Sequence, residues 1–357
     1  MALTGFGSAA GNHPPGEPGL AGEPVSRRHR PAGLAAGAPG VRVSGPERAL
    51  GLVAAELAEA ELELRTLVRT DVAAVERIGR YLIDAGGKRL RPALTALGAR
   101  AVGTNPAPVR LMCVGELLHL GSLLHDDVVD DGDVRRDQPA AHRVYGNAVT
   151  VLTGDFCLAR AVLLASEAGG PAAVHALGQV VTEMAEGEVL QLNHAGDLGC
   201  TIDQYLDVVA RKSAALIAWC VRAEALARGY TAHAAALERF GRQIGIAFQI
   251  TDDVLDYAEG TGKLRGADLR ERKVTLPLIL AMDALPGLRE ELAEGPPSPS
   301  RVEHWLARIR GTDALDRALD HARERVEGAI DALGSLPPGE GRDALSSLAR
   351  YLVERVR

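Results

Sequence analysis

The sequence predicts an all-α protein, and three observations carry that expectation. Apolar residues recur three and four apart from Ser44 almost to the C-terminus. Runs of alternating apolar and polar residues are few, and hairpin signals do not occur. Aromatics make up only 3% of the 357 residues, so Leu, Val, Ile and Ala must pack a chain that is 46% hydrophobic. Those side chains suit helix-on-helix contacts better than aromatic-rich sheets. The length is ample for one large core.

Taken in order, residues 1 to about 45 come first, rich in Gly, Pro and Ala (HPPGEPG, PAGLAAGAPG). They carry no helical or strand period, which predicts a disordered tail over 1–45 and one all-helical domain over 46–357. Ser44 is the expected N-cap of the first helix, in SGPERALGLVAAELAEAELELRTLV, with a proline just inside. Thr70 or Asp71 caps the next helix and Gly86-Gly87 ends it. EGPPSPS over 294–300 is a loop, as is PPGEG over 337–341, before a final helix. Roughly ten or more helices with short loops are expected.

Bulk chemistry excludes several classes. A net charge of −7 argues against general nucleic-acid binding. Cys113, Cys157, Cys200 and Cys220 are widely spaced with no CxxC pair, which argues against zinc and for buried, reduced thiols. No uninterrupted apolar run reaches ~18 residues, so no transmembrane helix is expected. The N-terminus lacks a secretory apolar core. A reducing cytoplasm is the default compartment.

Two aspartate-rich phrases stand out. LLHDDVVDD holds Asp126, Asp127, Asp130 and Asp131, and FQITDDVLDY holds Asp252, Asp253 and Asp256. On a helix, Asp126 shares a face with Asp130, and Asp252 with Asp256. Such crowding is unfavourable without a cation. Oxygen-only ligands suit Mg²⁺, which keeps waters and bridges carboxylates to phosphates. Two facing clusters would grip a diphosphate through shared ions.

Cationic residues accompany both clusters. GGKRLRP places Lys88 and Arg91 at a helix start, where free N–H groups favour phosphate. Arg135 and Arg136 follow the first cluster, and guanidinium forks suit phosphate oxygens. Lys263 and Lys273 follow the second, and Lys212 enters an otherwise apolar run. A solvated or snorkelling side chain is the ordinary alternative for each. His119, seven residues before Asp126, shares the helix face of the carboxylates, although a satisfied core histidine is the commoner case.

With these residues in hand, the chain resembles the polyprenyl diphosphate synthase family of trans-prenyltransferases from about Gly86 to Ile279. The motifs are GGKRLRP, ELLHLGSLLHDDVVDDGDVRR, GNAVTVLTGDF, EGEVLQL and FQITDDVLDYAEGTGKLRGADLRERKVTLPLI. The resemblance implies a helical bundle around a central cavity and a homodimer. It implies three Mg²⁺ ions, with Asp126, Asp127 and Asp130 as one metal-binding set and Asp252, Asp253 and Asp256 as the other. Lys88, Arg91, His119 and Arg136 match the isopentenyl diphosphate site, and Arg135, Lys212 and Lys263 match contacts to the allylic diphosphate. Lys273 resembles a family lysine near the same entrance. Ser213 and Gln249 would lend oxygen dipoles to the allylic cation. Three departures touch charge: Asp137 and Arg272 stand where the family pattern has Gly, and Asp131 adds a negative charge beside the first set.

The implied reaction ionises an allylic diphosphate and joins the cation to isopentenyl diphosphate, with electrostatic preorganisation as the main catalytic device and no protein nucleophile. No bulky aromatic occupies Gly121 or Ser122, five and four residues before Asp126, so a product of C20 or longer is expected, with about C30–C50 favoured. Leu117 and Leu118, with Val114, would form the pocket floor; close helix packing is the alternative role for the small residues. Loose, peripheral membrane association would suit lipid products. The competing functions are a non-catalytic or regulatory subunit of a heteromeric synthase and a class I terpene cyclase. The cyclase would need neither GGKRLRP nor a second DDxxD.

Overall fold

Burial of the apolar stripes shapes the chain as the period predicts. The structure, a computed structural model, describes residues 45–136, 138–258 and 266–354. Among these residues lie sixteen helices and one two-stranded ribbon. Helices α1 (Gly45–Gly51), α2 (Ala54–Leu67) and α3 (Ala73–Asp84) precede α4 (Leu90–Ala101) and α5 (Val109–Val129). The antiparallel pair β1 (Val134–Arg135) and β2 (Gln138–Pro139) leads to α6 (Ala141–Tyr145) and α7 (Asn147–Asn193). Next come α8 (Ile202–Val209), a π-helical turn over Ala210–Ala214, α9 (Ala215–Ala227) and α10 (Thr231–Leu255). The C-terminal part holds α11 (Ala267–Glu271), α12 (Leu276–Ala284), α13 (Leu288–Glu294), α14 (Pro299–Arg310), α15 (Ala314–Ala332) and α16 (Glu340–Glu354). The tail expected over 1–45 lies outside the described residues except for Gly45, which already belongs to α1. Ser44, the expected cap, also lies outside them. Thr70 shapes the entry to α3 by accepting from the Val72 amide at 3.3 Å.

Helix α9 is the axis of the core. Leu216, Trp219, Cys220 and Val221 are almost wholly buried, and the Trp219 indole donates to the Ala173 carbonyl of α7 at 3.0 Å. Neighbouring helices reach α9 through glycines. A methyl group at Gly98 of α4 would strike the Val221 carbonyl, one at Gly115 of α5 the Cys220 sulfur, and one at Gly241 of α10 the Ala218 backbone. Close-packed interiors do not absorb even one added carbon at such points.

Helix α7 bends at Gly170, where φ 69 and ψ −174 leave the helical region just before Pro171. It also bears on the expectation of no transmembrane helix. By length and composition α7 is apolar enough to cross a membrane, with mean hydropathy 1.7 over its best window. Scattered polar residues break every uninterrupted apolar run without lowering that average much. One face of α7 nevertheless packs on α5 and α9 through Ala161, Leu164, Ala165 and Val180, all buried.

Candidate active site

The two aspartate clusters occupy the last turns of two long core helices. Asp126 and Asp127 close α5 with Asp130 as its C-cap, and Asp252 and Asp253 close α10 with Asp256 as its C-cap. Helix C-termini carry the negative end of the dipole, so carboxylates there are disfavoured until a cation arrives. Asp130 and Asp253 line one cavity of about 340 Å³, together with Lys212, Ser213, Gln249 and Lys273. The tertiary fold therefore brings both clusters to a shared space.

Each carboxylate has its own surroundings. Burial pushes the Asp126 carboxyl up to about 6, with Lys212 opposing and Glu188 and Asp130 adding. Asp127 is buried and accepts from Arg135 Nε at 2.7 Å and from the Ala141 amide at 3.4 Å. One helical step from Asp126 turns Asp127 about 100° away, toward the β1 arginine. Asp253 accepts from Tyr205 Oη at 2.6 Å and from Gln249 Nε2 at 2.8 Å. Burial raises its pKa. Asp256 accepts from the Asp268 amide at 3.1 Å, and Asp252 is exposed.

Among the described residues, no three His, Cys, Asp or Glu side chains close into a ready-made metal cage. The donor set is nonetheless hard oxygen throughout, arranged as the pairs Asp126 with Asp130 and Asp252 with Asp256. That fits an ion such as Mg²⁺, which takes one or two carboxylates, keeps waters and completes its shell with phosphate oxygens.

Lys212 and Ser213 sit on the π-helical turn between α8 and α9. Such turns are rare and favour functional sites. The turn lies against α7 at Gly187, where a Cβ would meet the Lys212 amide nitrogen at 2.7 Å and Arg211 Cβ at 2.8 Å. Glutamates flank this contact: Glu186 pairs with Arg211 at 2.7 Å and Glu188 pairs with Lys212. Ser213 Oγ donates to Gln249 Oε1 at 3.0 Å, so a hydrogen-bonded chain runs Ser213, Gln249, Asp253.

A second basic group gathers where α4 begins. Arg89 anchors it, donating to Glu61 at 2.7 Å and to Glu116 at 2.8 Å. Arg136 donates to the Gly86 carbonyl. Burial, then Arg91, Arg136, Arg135 and Arg89, drive the His119 pKa well below its ordinary value, so the imidazole is neutral among guanidiniums. Lys88 is exposed before the helix start, and the Arg91 Nε is buried without a hydrogen-bond partner. Lys88, Arg91, His119 and Arg136 do not line the cavity of Asp130 and Asp253. At that cavity burial opposes charge on Lys273, yet Asp253, Asp268 and Asp130 together hold its ammonium above the ordinary pKa. Lys263 and Asp137 lie outside the described residues.

The chain-length residues lie on α5, against α7 and the core. A Cβ on Gly121 would meet the Gly154 carbonyl at 2.9 Å and Cys157 Cβ at 3.3 Å, so this glycine serves close contact of α5 with α7. Ser122 Oγ donates to the His119 carbonyl at 2.9 Å. Leu117, Leu118 and Val114 are buried in the core, and Gly121, Ser122, Leu117 and Leu118 are not part of the cavity wall.

Sequence reasoning gave no role to Glu188, Tyr205 or Asp268. Asp268 is buried and accepts from Thr275 Oγ1 at 2.7 Å; burial and then Asp253 raise its pKa. EGEVLQL and GADLRE were visible as motifs, but the partners are 24, 48 and 7 residues away in Lys212, Asp253 and Thr275. No local pattern reveals such pairs.

A family model described as polyprenyl synthetase matches residues 72–308. The octaprenyl diphosphate synthase of Escherichia coli (strain K12) is 35% identical over 316 residues, 86% of this chain and 98% of that protein. The all-trans-nonaprenyl-diphosphate synthase (geranyl-diphosphate specific) of Rhodobacter capsulatus is 36% identical, over 86% and 97%. Among solved structures, a polyprenyl synthase from Caulobacter crescentus CB15, complexed with calcium and isoprenyl diphosphate, superposes with a TM-score of 0.83. It is 36% identical and covers 89% of this chain and 100% of its own.

Proposed function

The chain belongs to the polyprenyl synthetase family, and we propose from that premise that it condenses an allylic diphosphate with isopentenyl diphosphate to make a long-chain polyprenyl diphosphate. The observation that carries this is the shared cavity: Asp130 of one cluster and Asp253 of the other face the same space as Lys212 and Lys273. Products of C20 or longer, about C30–C50, are favoured by long-chain relatives on both sequence and structural grounds.

Lys212, Lys273 and Arg135 bind and orient the allylic diphosphate. Asp126, Asp130, Asp252, Asp253 and Asp256 would hold Mg²⁺, which when bound neutralises the diphosphate and favours its departure. Tyr205 and Gln249 fix the Asp253 carboxylate beside them. Ser213 and Gln249 turn oxygen dipoles toward the developing allylic cation. Lys88, Arg91 and Arg136 hold isopentenyl diphosphate, and the neutral His119 adds a hydrogen-bond donor. The proton lost after coupling goes to the departed diphosphate.

Four buried free thiols support a reducing, cytoplasmic location. Leu152, Val162 and Leu163, exposed on α7, support a homodimer, and lipid products support peripheral membrane association. The test is chromatography of products from labelled isopentenyl diphosphate plus an allylic primer, with Mg²⁺ and with a chelator. Mg²⁺-dependent long-chain product is expected. A chain that releases diphosphate from neither substrate is a regulatory subunit, and one that acts on the primer alone is a cyclase.

A further inference from the structure

Arg272 has a backbone that suits glycine. It caps α11 in the left-handed region, at φ 52 and ψ 38, a conformation disfavoured for any residue with a Cβ. Among the described residues three other non-glycine residues have positive φ: Arg89, Asp131 and Arg136. Each of those is compensated within the chain. Arg89 bonds Glu61 and Glu116, Arg136 bonds the Gly86 carbonyl, and Asp131 pairs with Arg143 at 2.9 Å.

Arg272 lacks that compensation. Its Nε is shielded from solvent with no hydrogen-bond partner among the described residues, a costly arrangement for a cationic donor. Its side chain lines the same cavity as Lys212, Lys273, Asp130 and Asp253. It also approaches the loop that follows α7. Its Nη2 and Cζ stand 3.7 and 3.8 Å from the point that a Cβ on Gly196 would occupy, on the loop that follows α7. A strained backbone, a long cationic side chain lining the cavity and an unsatisfied donor together call for an anion from outside the chain.

We propose that Arg272 is a further diphosphate-binding and specificity residue, supplying a guanidinium to the outer oxygens of the diphosphate carried by the allylic substrate and growing product. The inference rests on the proposed function for the identity of that substrate. The basic group at the start of α4, assigned above to isopentenyl diphosphate, does not line the cavity that Arg272 lines.

The experiment compares the full chain with Arg272→Gly, which relieves the backbone, and Arg272→Lys, which keeps the charge but loses the fork. Inorganic pyrophosphate is titrated with Mg²⁺ in a calorimeter, and both KM values and thermal melting are measured. Arg272→Gly is expected to melt at or above wild type and to bind pyrophosphate about ten-fold more weakly, with Arg272→Lys between them. The allylic KM rises in parallel while the isopentenyl KM stays within about two-fold. Pyrophosphate affinity within about two-fold of wild type, or equal rises in both KM values, overturns the inference. So does lowered melting with unchanged affinity, which would make Arg272 a structural cap. Absence of product from the wild type counts instead against the proposed function, because the titration needs no turnover.

Discussion

Tyr205 donates a 2.6 Å hydrogen bond to Asp253, joining α8 to the last turn of α10. A phenol thereby holds a carboxylate whose ionisation burial opposes. Hydrogen bonds to charged groups contribute about 1.5–3 kcal/mol. Tyr205→Phe is expected to lower kcat about ten-fold and raise the Mg²⁺ concentration needed for half-maximal turnover, with a near-native melting curve. An unchanged Mg²⁺ titration would remove Tyr205 from the site.

Asp126 gives a pH prediction. Its folded pKa of about 6 exceeds its ordinary 3.8, so the folded chain binds this proton more tightly than the unfolded one. The resulting stability is present below the ordinary value and is lost as pH rises toward and through about 6. Asp126→Asn should remove that part of the pH dependence in calorimetry of the metal-free protein. It should leave the fold about 1–2 kcal/mol more stable near pH 7, after discounting for solvent screening. Product formation should be abolished. A wild-type and variant stability difference that does not change with pH would contradict this.

Asp127 and Asp126 should differ in kind. Asp127→Ala strips Arg135 of its 2.7 Å partner without touching the pair of Asp126 with Asp130. The allylic KM should rise about ten-fold with residual turnover, whereas Asp126→Ala should leave none detectable. Equal, complete loss in both would place Asp127 in the metal set beside Asp126.

Gly121→Phe should destabilise before it shortens anything. The ring has to displace the Gly154 carbonyl or part α5 from α7, costing about 1–3 kcal/mol or more. The measurement pairs a melting curve with product chromatography. A variant that melts like wild type and makes shorter chains would return Gly121 to the product pocket.

Gly187→Ala should act on Lys212 at a distance. The added methyl meets the π-helical turn at the Lys212 amide, so the ammonium shifts from Glu188 and from the cavity. Turnover should fall about ten-fold, with isopentenyl KM unchanged. Unaltered kinetics would show that the turn tolerates displacement.

Much of the fold was legible because helical period is a local property. The apolar spacing marked the runs that end in the aspartate clusters, α5 and α10, and Gly86-Gly87 marked the break before the start of α4. The aspartate clusters were legible because carboxylates crowded on one helical face need a cation whatever surrounds them. The role of Gly121 was not legible in the same way. A small residue permits an open pocket or a close helix contact equally, and nothing in the neighbouring letters distinguishes them.

By itself the sequence determined an all-helical chain with two acidic and two basic groups suited to diphosphate. These follow from rules that act within a few residues along one helix. Only the tertiary structure decided that Asp127 turns to Arg135, that Glu188 faces Lys212, and that Arg272 reaches Gly196. Those relations depend on which helix meets which, at what distance and rotation. The glycines and buried side chains that set those distances lie far apart in the chain and act only when the core is packed.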